Sequence, residues 1–376
     1  MRIALIITEL NPGGAERCLT ELAIGLTESG DDVRVYSIGS RPDPQKCILI
    51  DRLAKHRVPI EYGGADSTFQ VFKAQRSLRK SLHSFHPALA QTFLYHANVV
   101  GTWAARAAGV AVRVGGIRVA EARPLRCRLE RFAVKQMQQI VCVSEDVRRF
   151  AASQLAADQG RLSVIPNAVD TTRFSTTAPA NWRDHGWPED SIVTLFVGRM
   201  HAQKGLETIR QQIDRLAPAG SNRRVLLIGE GPLENEMDAW IRSVGADRIQ
   251  RLGWTTDVAP FIKASRLLLL PSHYEGMPNV VMEAMASGRP VVCSSVEGTR
   301  ELLAHAPDGQ CFDPGDSGAM ANAVERFLND RNLSEQIGFQ NQTRMRNDFA
   351  IPTMIDRYRS LYRSLTGEGA IRSVSG

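Results

Sequence analysis

The sequence predicts an α/β protein made of two parallel-sheet domains, and three observations predict it. Short apolar runs alternate with helical patterns along the whole chain, which is the signature of parallel strands joined by crossover helices. At 376 residues the chain is too long for one core of ordinary size and fits two. Loops rich in glycine and charge recur directly behind the apolar runs, where the carboxyl ends of parallel strands hold ligands in open α/β sheets.

Composition narrows the class. A hydrophobic fraction of 43% with 23% charged residues is that of a globular protein, and no apolar run approaches the roughly 18 residues that span a bilayer. The opening run Ile3-Ala-Leu-Ile-Ile7 is too short for the core of a secretion signal and reads as a first strand, so a cytoplasmic protein is expected. Six cysteines without C-x-x-C spacing argue against a zinc site and a disulfide framework, which leaves buried reduced thiols. The net charge of +6 permits an anionic partner. Residues 113–149 carry nine cations against Glu121, Glu130, Glu145 and Asp146, on or beside a helix expected over 125–137. Without interleaved aromatics this region does not suit nucleic acid. It reads as a solvated face or as a peripheral contact with the inner face of a membrane.

In the first half, strands are expected near 3–8, 33–38, 60–62, 89–93, 112–115, 140–143 and 162–165. The loop Glu9-Leu-Asn-Pro-Gly-Gly-Ala-Glu16 joins the first strand to a helix over 15–26, and Gly13 and Gly14 remove side chains where backbone could approach a ligand. Arg17 stands where the dinucleotide fingerprint needs its last glycine, which excludes that motif. His96 follows the fourth strand and Arg118 and Glu121 the fifth, all on the carboxyl edge. A polar stretch to about Trp182 reads as a linker.

In the second half, strands are expected at 193–197, 225–228, 249–252, 267–270 and 291–293. Behind the first of them, Arg199 and Lys204 lie five residues apart, followed by Gly205 at a helix start. A guanidinium fork and an ammonium point charge beside a helix terminus suit a diphosphate. Gly229-Glu-Gly-Pro232 follows the next strand, with Pro232 expected at the first helical position. The four-Leu run 267–270, closed by Pro271 and Ser272, reads as a strand buried on both faces. Gly276 and Pro278 then turn the chain into a helix over 279–287, with Asn279 as its cap. Glu275 before the turn and Glu283 one helical turn beyond Asn279 could accept hydrogen bonds from hydroxyls on two parts of one ligand. The plain alternative is a solvated loop residue and an exposed helix residue.

Together these residues resemble the retaining group 1 glycosyltransferases of family 4. The resemblance rests on Gly-Gly-Ala-Glu-Arg at 13–17, Ile-Pro-Asn-Ala-Val-Asp-Thr-Thr-Arg-Phe at 165–174, Val-Gly-Arg-Met at 197–200 with Gln-Lys-Gly at 203–205, Ile-Gly-Glu-Gly-Pro at 228–232, and two glutamates at 275 and 283 with seven residues between them. It implies the GT-B fold, two Rossmann-like domains facing each other across a cleft, with the acceptor bound by residues 1–178 and a nucleotide sugar by 179–350. The segment 351–376 would hold a helix crossing back to the first domain.

Carried over by position, Arg199 and Lys204 would hold the donor diphosphate, Glu283 the ribose, and Gly253 and Trp254 would lie near the base. Glu275 would bind the donor sugar, supported by backbone of Gly276, Met277, Pro278, Asn279 and Val280, while Gly13 and Gly14 approach from the other domain. The implied reaction retains anomeric configuration without a carboxylate nucleophile. The expected donor is a UDP-sugar acting as substrate, with no other cofactor and, in the absence of an Asp-x-Asp pair, no metal; the acceptor is a glycan or lipid-linked sugar. Arg118 stands where many relatives have histidine, so the catalytic role in the first domain falls to His96 or Arg118. Ala168 replaces a common glycine. Competing readings are a nucleotide-sugar epimerase of the same architecture and a non-catalytic nucleotide-sugar-binding protein.

Overall fold

The structure is a computed structural model, and it describes residues 1–65, 70–121, 123–305 and 309–367. The chain folds into two compact units. The first comprises Met1–Asn167 with the C-terminal helix Ile351–Thr366, and the second Ala168–Ala350.

The first unit holds a seven-stranded sheet of β1 (Arg2–Ile7), β2 (Asp32–Ser37), β3 (Ile60–Tyr62), β4 (Leu89–Phe93), β5 (Val112–Ile117), β6 (Gln139–Cys142) and β7 (Leu162–Val164), in the order β3-β2-β1-β4-β5-β6-β7. All its pairings are parallel. Helices cover both faces, which is why Ile3 through Ile7 are all fully buried and the strand reads as an unbroken apolar run. Ala4 and Ile6 pack against Ala74, Leu78 and Leu82 of the helix Val71–Phe85 on one side. On the other side the helix Gly14–Glu28 meets the C-terminal helix, with Cys18 Sγ 3.6 Å from Met354 Sδ. Tyr358 and Tyr362 are fully buried there, and Tyr362 donates to Gln91 Oε1 at 3.3 Å.

The second unit holds β8 (Ile192–Val197), β9 (Arg223–Ile228), β10 (Ile249–Leu252), β11 (Leu267–Leu270), β12 (Val291–Ser294) and β13 (Cys311–Phe312), ordered β10-β9-β8-β11-β12-β13 and again parallel. The strands expected from apolar runs are all present. The two-residue β13 was not anticipated, because so short an edge strand leaves no apolar run. All six cysteines are free; five are buried and Cys311 is half-buried, opposite Cys293 across β12 and β13.

Two expectations change. Residues 168–178 go with the second unit, and the stretch read as a linker is built into it. Val169 N–H donates to Phe349 O at 2.9 Å, Arg173 pairs with Asp257 at 2.9 Å, and Trp182 is buried. The Ala/Thr/Pro stretch that suggested a linker follows the short helix Thr171–Thr176, capped by Asp170, and Ala180 N–H donates to Pro260 O at 3.0 Å. Pro232 lies in a turn ahead of the helix Glu234–Val244 and is not its first residue.

The sheet order reverses direction next to β1 in the first unit, whose neighbours β2 and β4 are reached by opposite crossovers. It does so next to β8 in the second, between β9 and β11. Loops leaving β1 and β4, or β8 and β11, therefore lie at the switch point on the carboxyl edge, the place where open α/β sheets hold ligands.

Close packing behind that edge rests on glycine. The helix Arg331–Asp348 crosses the turn after the helix Asn279–Ala286 at Gly338, where a Cβ would lie 2.1 Å from Gly288 O. Gly338→Ala gains about 1 kcal/mol of helix propensity but overlaps backbone, so a net loss of about 2 kcal/mol is expected. A thermal midpoint lowered by about 4 °C or more checks it, and an unchanged or raised midpoint would show that the two helices part without cost.

Candidate functional site

In the second unit, five loops leave the carboxyl ends of neighbouring strands and are laced to one another. Gly198 N–H donates to Ile228 O at 3.0 Å, Met200 N–H to Glu230 O at 2.9 Å, and Leu233 N–H to Met200 O at 3.0 Å, which ties the loops after β8 and β9. Trp254 N–H donates to Glu230 Oε1 at 3.2 Å and brings in the loop after β10. His273 N–H donates to Gln203 O at 2.8 Å, and Gln203 Nε2 to Tyr274 O at 2.9 Å, joining the loops after β8 and β11. Glu275 N–H donates to Glu297 Oε2 at 3.2 Å and adds the loop after β12.

The two switch-point loops meet in a charge pair. Lys204 Nζ lies 2.5 Å from Glu275 Oε1, and the same oxygen accepts from Ser272 Oγ at 2.6 Å. Lys204 ends a 3-10 turn, Ala202–Lys204, whose start is capped by His201 Nδ1 accepting from Gln203 N–H at 3.1 Å. Gly205 then takes a left-handed φ of 64°, and a Cβ there would sit 2.0 Å from Pro271 O. Only glycine lets the β8 loop lie this close to the β11 loop. Gly298 works the same way from behind, because its Cβ would sit 2.0 Å from Gly276 O.

Arg199 is exposed and makes no ion pair among the described residues. Arg199 and Lys204 thus differ, one free in solvent and one engaged by a carboxylate. Gly253 and Trp254 are both exposed beside Glu230. Gly276, Met277 and Pro278 are buried, and Asn279 and Val280 half-buried. The cap is Pro278, not Asn279: Val281 N–H reaches Pro278 O at 3.2 Å, no side chain caps the turn, and Asn279 is the first helical residue. Glu283 is only 6% exposed, so it is not the ordinary solvated helix residue of the plain alternative. Among the described residues no group of three His, Cys, Asp or Glu is set to hold a metal ion.

The first unit builds a different edge. Gly13 caps the helix Gly14–Glu28 in extended conformation, and a Cβ on it would lie 2.3 Å from Glu16 Oε2. The missing side chain of Gly13 therefore makes room for the Glu16 carboxylate, whereas Gly14 is exposed. Burial raises the Glu16 pKa to about 7; a hydrogen bond to its own backbone opposes this, Glu9 adds to it, and Arg118 counters it. Sequence reading passed over Glu16, and the only signal was its place in the third position of a helix behind two glycines.

His96 lies exposed at the end of β4, with its ring 5.0 Å from that of Tyr95. Partial desolvation, then Arg126, hold its pKa below the usual imidazole range. Behind it the chain runs through a π-helical turn, Ala97–Gly101. Asn98 anchors this turn by donating to Gly116 O at 3.0 Å and to Glu130 Oε1 at 2.7 Å. Arg118, expected at the same edge, is 6% exposed. It donates to Asn167 Oδ1, and its guanidinium carbon lies 5.8 Å from the centre of the Phe93 ring. The structure does not bring His96 and Arg118 together: one is presented to solvent and the other is folded under. Glu121 is tied to Arg123 and Arg126.

Comparison with known proteins bears on the family and the fold. The family model for glycosyl transferases group 1 matches residues 191–330, and that for glycosyltransferase family 4 matches residues 12–173. The chain is 29% identical over 322 residues to a UDP-Gal:alpha-D-GlcNAc-diphosphoundecaprenol alpha-1,3-galactosyltransferase of Escherichia coli, covering 79% of this chain and 80% of that one. It is 24% identical over 360 residues to the capsular polysaccharide biosynthesis glycosyltransferase CapM of Staphylococcus aureus, covering 91% and 92%. Among solved structures, Anabaena Alr3699/HepE in complex with UDP-glucose superposes with a TM-score of 0.83 at 22% identity, over 97% of this chain and all of that one.

Two outcomes test the geometry. Glu16 has a folded pKa above its unfolded value, so its contribution to stability is fully present below about 4.5 and is lost as pH rises through about 7. Glu16→Gln, which mimics the protonated acid, is expected to match wild type near the lower limit and to exceed it by about 3 kcal/mol at pH 8. Thermal midpoints across that range decide it, and a parallel shift at all pH values would place the carboxylate in water. For the second unit, Lys204→Met strands the Glu275 carboxylate beside a single hydroxyl and should cost about 3 kcal/mol. Adding Glu275→Gln should recover part of that loss. Strictly additive midpoints in the double-mutant cycle would mean that the pair contributes nothing.

Proposed function

We propose, for a chain that belongs to the group 1 glycosyltransferases of GT-B fold, that it moves a hexose from a nucleoside-diphosphate sugar to an acceptor hydroxyl with retention at the anomeric carbon. The observation that carries this reading is the convergence of Arg199, Lys204 and Glu275 on one sheet edge, with Glu283 buried one helical turn behind. Arg199 offers its fork to the diphosphate and Lys204 a point charge. Oε1 of Glu275 is taken by Lys204 and Ser272, which leaves Oε2 for a donor sugar hydroxyl. Glu283 accepts from ribose, and Gly253 and Trp254 border the base. Of the two residues considered for the first unit, His96 is the accessible one and contacts the reacting sugars, while Arg118 holds structure.

The E. coli relative acts on a diphosphoundecaprenol-linked sugar and takes UDP-Gal. A UDP-hexose donor and a lipid-linked glycan acceptor in polysaccharide biosynthesis are therefore proposed here. The leaving diphosphate gains charge as its bond breaks, and Arg199 with Lys204 supplies the compensation that other sites draw from a divalent ion. The reaction proceeds without metal.

Thermal stabilisation by a panel of nucleotide sugars identifies the donor, and the anomeric configuration of the product reports retention; an inverted product sinks that part of the reading. A chelator should leave the rate unchanged, and a loss restored by magnesium or manganese would overturn metal independence. A unit charge about 4 Å from the leaving phosphate is worth roughly 4 kcal/mol at an effective dielectric of about 20. Lys204→Ala should therefore lower kcat about a hundred- to a thousand-fold. Glu283→Gln should mainly raise the donor KM, by about ten-fold or more, because ribose does not change during transfer. Glu275→Gln should lower kcat more than it raises KM. Donor binding without turnover on any acceptor would favour a nucleotide-sugar-binding protein instead.

A further inference from the structure

We propose that the helical layer on one side of the first unit's sheet docks on an anionic lipid surface. This extends the lipid-linked acceptor of the proposed function to the surface that carries it, and rests on residues outside the transfer site. The layer consists of the helix Val71–Phe85, the π turn Ala97–Gly101 continuing into the helix Thr102–Ala107, and the helix Pro124–Val134. Ala74, Leu78, Leu82, Ala97, Ala104 and Ala105 form one cluster with Ala4 and Ile6 of β1, which places the first two on one side of the sheet. Asn98 binds Glu130 and brings the third beside them.

Each of these helices turns a large apolar side chain outward. Phe72 is 74% exposed, Leu125 70%, Phe132 53%, Leu129 43% and Trp103 37%. Leu125, Leu129 and Phe132 stand at i, i+4 and i+7, one stripe on the face opposite buried Cys127, Glu130 and Val134. Such a stripe is costly in water and marks a surface that something covers.

Charge says what covers it. Exposed Arg128, Arg131 and Lys135 flank the stripe along its side, and Lys135 Nζ sits 6.0 Å from the centre of the Phe132 ring. The helix Val71–Phe85 carries Lys73, Arg76, Arg79 and Lys80 and no carboxylate, and Arg76 and Arg79 continue the face begun by Phe72. Trp103 lies under Arg106, whose guanidinium carbon is 5.4 Å from the ring centre. The one carboxylate on these elements, Glu130, is buried against Asn98. Apolar side chains rimmed by long cationic ones, with the nearby exposed Glu145 of the helix Glu145–Gln154 paired to Arg148, match the boundary between acyl chains and anionic headgroups, where aromatic rings enter and cations remain at the phosphates.

Flotation of the full-length chain with vesicles tests this, using phosphatidylcholine alone or mixed with phosphatidylglycerol, without donor or acceptor. Binding to the mixed vesicles, weakened by salt and at least about ten-fold tighter than to the neutral ones, is expected. Leu125→Ser/Leu129→Ser/Phe132→Ser and Arg128→Glu/Lys135→Glu should each reduce it about ten-fold or more. Both sets should keep the wild-type thermal midpoint and donor-induced shift. Equal, negligible binding of wild type to the two vesicles overturns the proposal, as does binding that neither variant set affects. A salt-resistant dimer that the serine variant dissociates would assign the layer to a second copy and likewise overturn it. Loss of vesicle binding with an intact donor-induced shift concerns docking alone, whereas a missing shift in the wild type concerns the transferase reading.

Discussion

The ion pair between Lys204 and Glu275 depends on a topological fact before it depends on charge. The two residues are 71 positions apart and meet because β8 and β11 are neighbours in the sheet although β9 and β10 intervene in sequence. A parallel sheet places every following loop on the same edge, and the change of winding direction beside β8 keeps helices from filling the space above those two loops. Glycine then sets the distance. Gly205 sits against Pro271, Gly298 against Gly276, and Gly229, at a φ of 140°, has the Gly198 carbonyl oxygen 2.0 Å from where its Cβ would be. Each approach involves backbone, which cannot move aside as a side-chain tip can. The charged groups of this edge therefore stand on packed main chain and are positioned before any ligand arrives.

The first unit repeats the topology with a different electrostatic design. Its switch-point loops bring Glu9, Glu16 and His96; of the cations that act on them, Arg118 is folded under the edge onto Asn167, and Arg126 lies over the Tyr95 ring and pairs with Glu121. The two edges thus differ: the second unit's holds an exposed Arg199 and an engaged Lys204, and the first unit's holds Glu9, Glu16, His96 and Arg126.

Strands were legible because both sheets are covered on both faces, so that Leu267–Leu270 or Ile3-Ala-Leu-Ile-Ile7 had to be apolar throughout. The residues of the second edge were legible for a related reason: parallel topology puts whatever follows an apolar run at the carboxyl edge, and Arg199, Lys204 and Glu275 all follow one. What sequence did not disclose depends on contacts made at a distance. Glu297 shows no pattern until its carboxylate is seen under the Glu275 N–H. Gly13 looks like a vacancy for a ligand until Glu16 is seen to fill it. Arg118 and His96 occupy equivalent places behind adjacent strands, and only the position of Asn167 separates the buried one from the exposed one. The Pro278 cap and the attachment of residues 168–178 to the second unit follow the same rule, because backbone partners such as Phe349 for Val169 cannot be read from local composition.

If the proposed function holds, the engagement of Lys204 has a consequence for the order in which a nucleotide-sugar donor would be gripped. An ammonium held at 2.5 Å by a carboxylate that also accepts from Ser272 is largely neutralised, so the long-range attraction for an approaching anion comes mainly from exposed Arg199. A diphosphate carries more charge than one carboxylate. On the proposed reading, once Arg199 has captured it, Lys204 has the stronger partner within reach, and its attraction to the diphosphate offsets the loss of its pairing with Glu275, which keeps Ser272. The same turn would leave Oε1 of Glu275 with Ser272 alone and so add accepting capacity there to that of Oε2 for a sugar attached to that diphosphate. Phosphate capture and sugar recognition are then coupled through one side chain. On that reading a free hexose, with no phosphate to draw Lys204 away, would meet a glutamate that is already half occupied, so the ion pair itself would discriminate between sugar and nucleotide sugar.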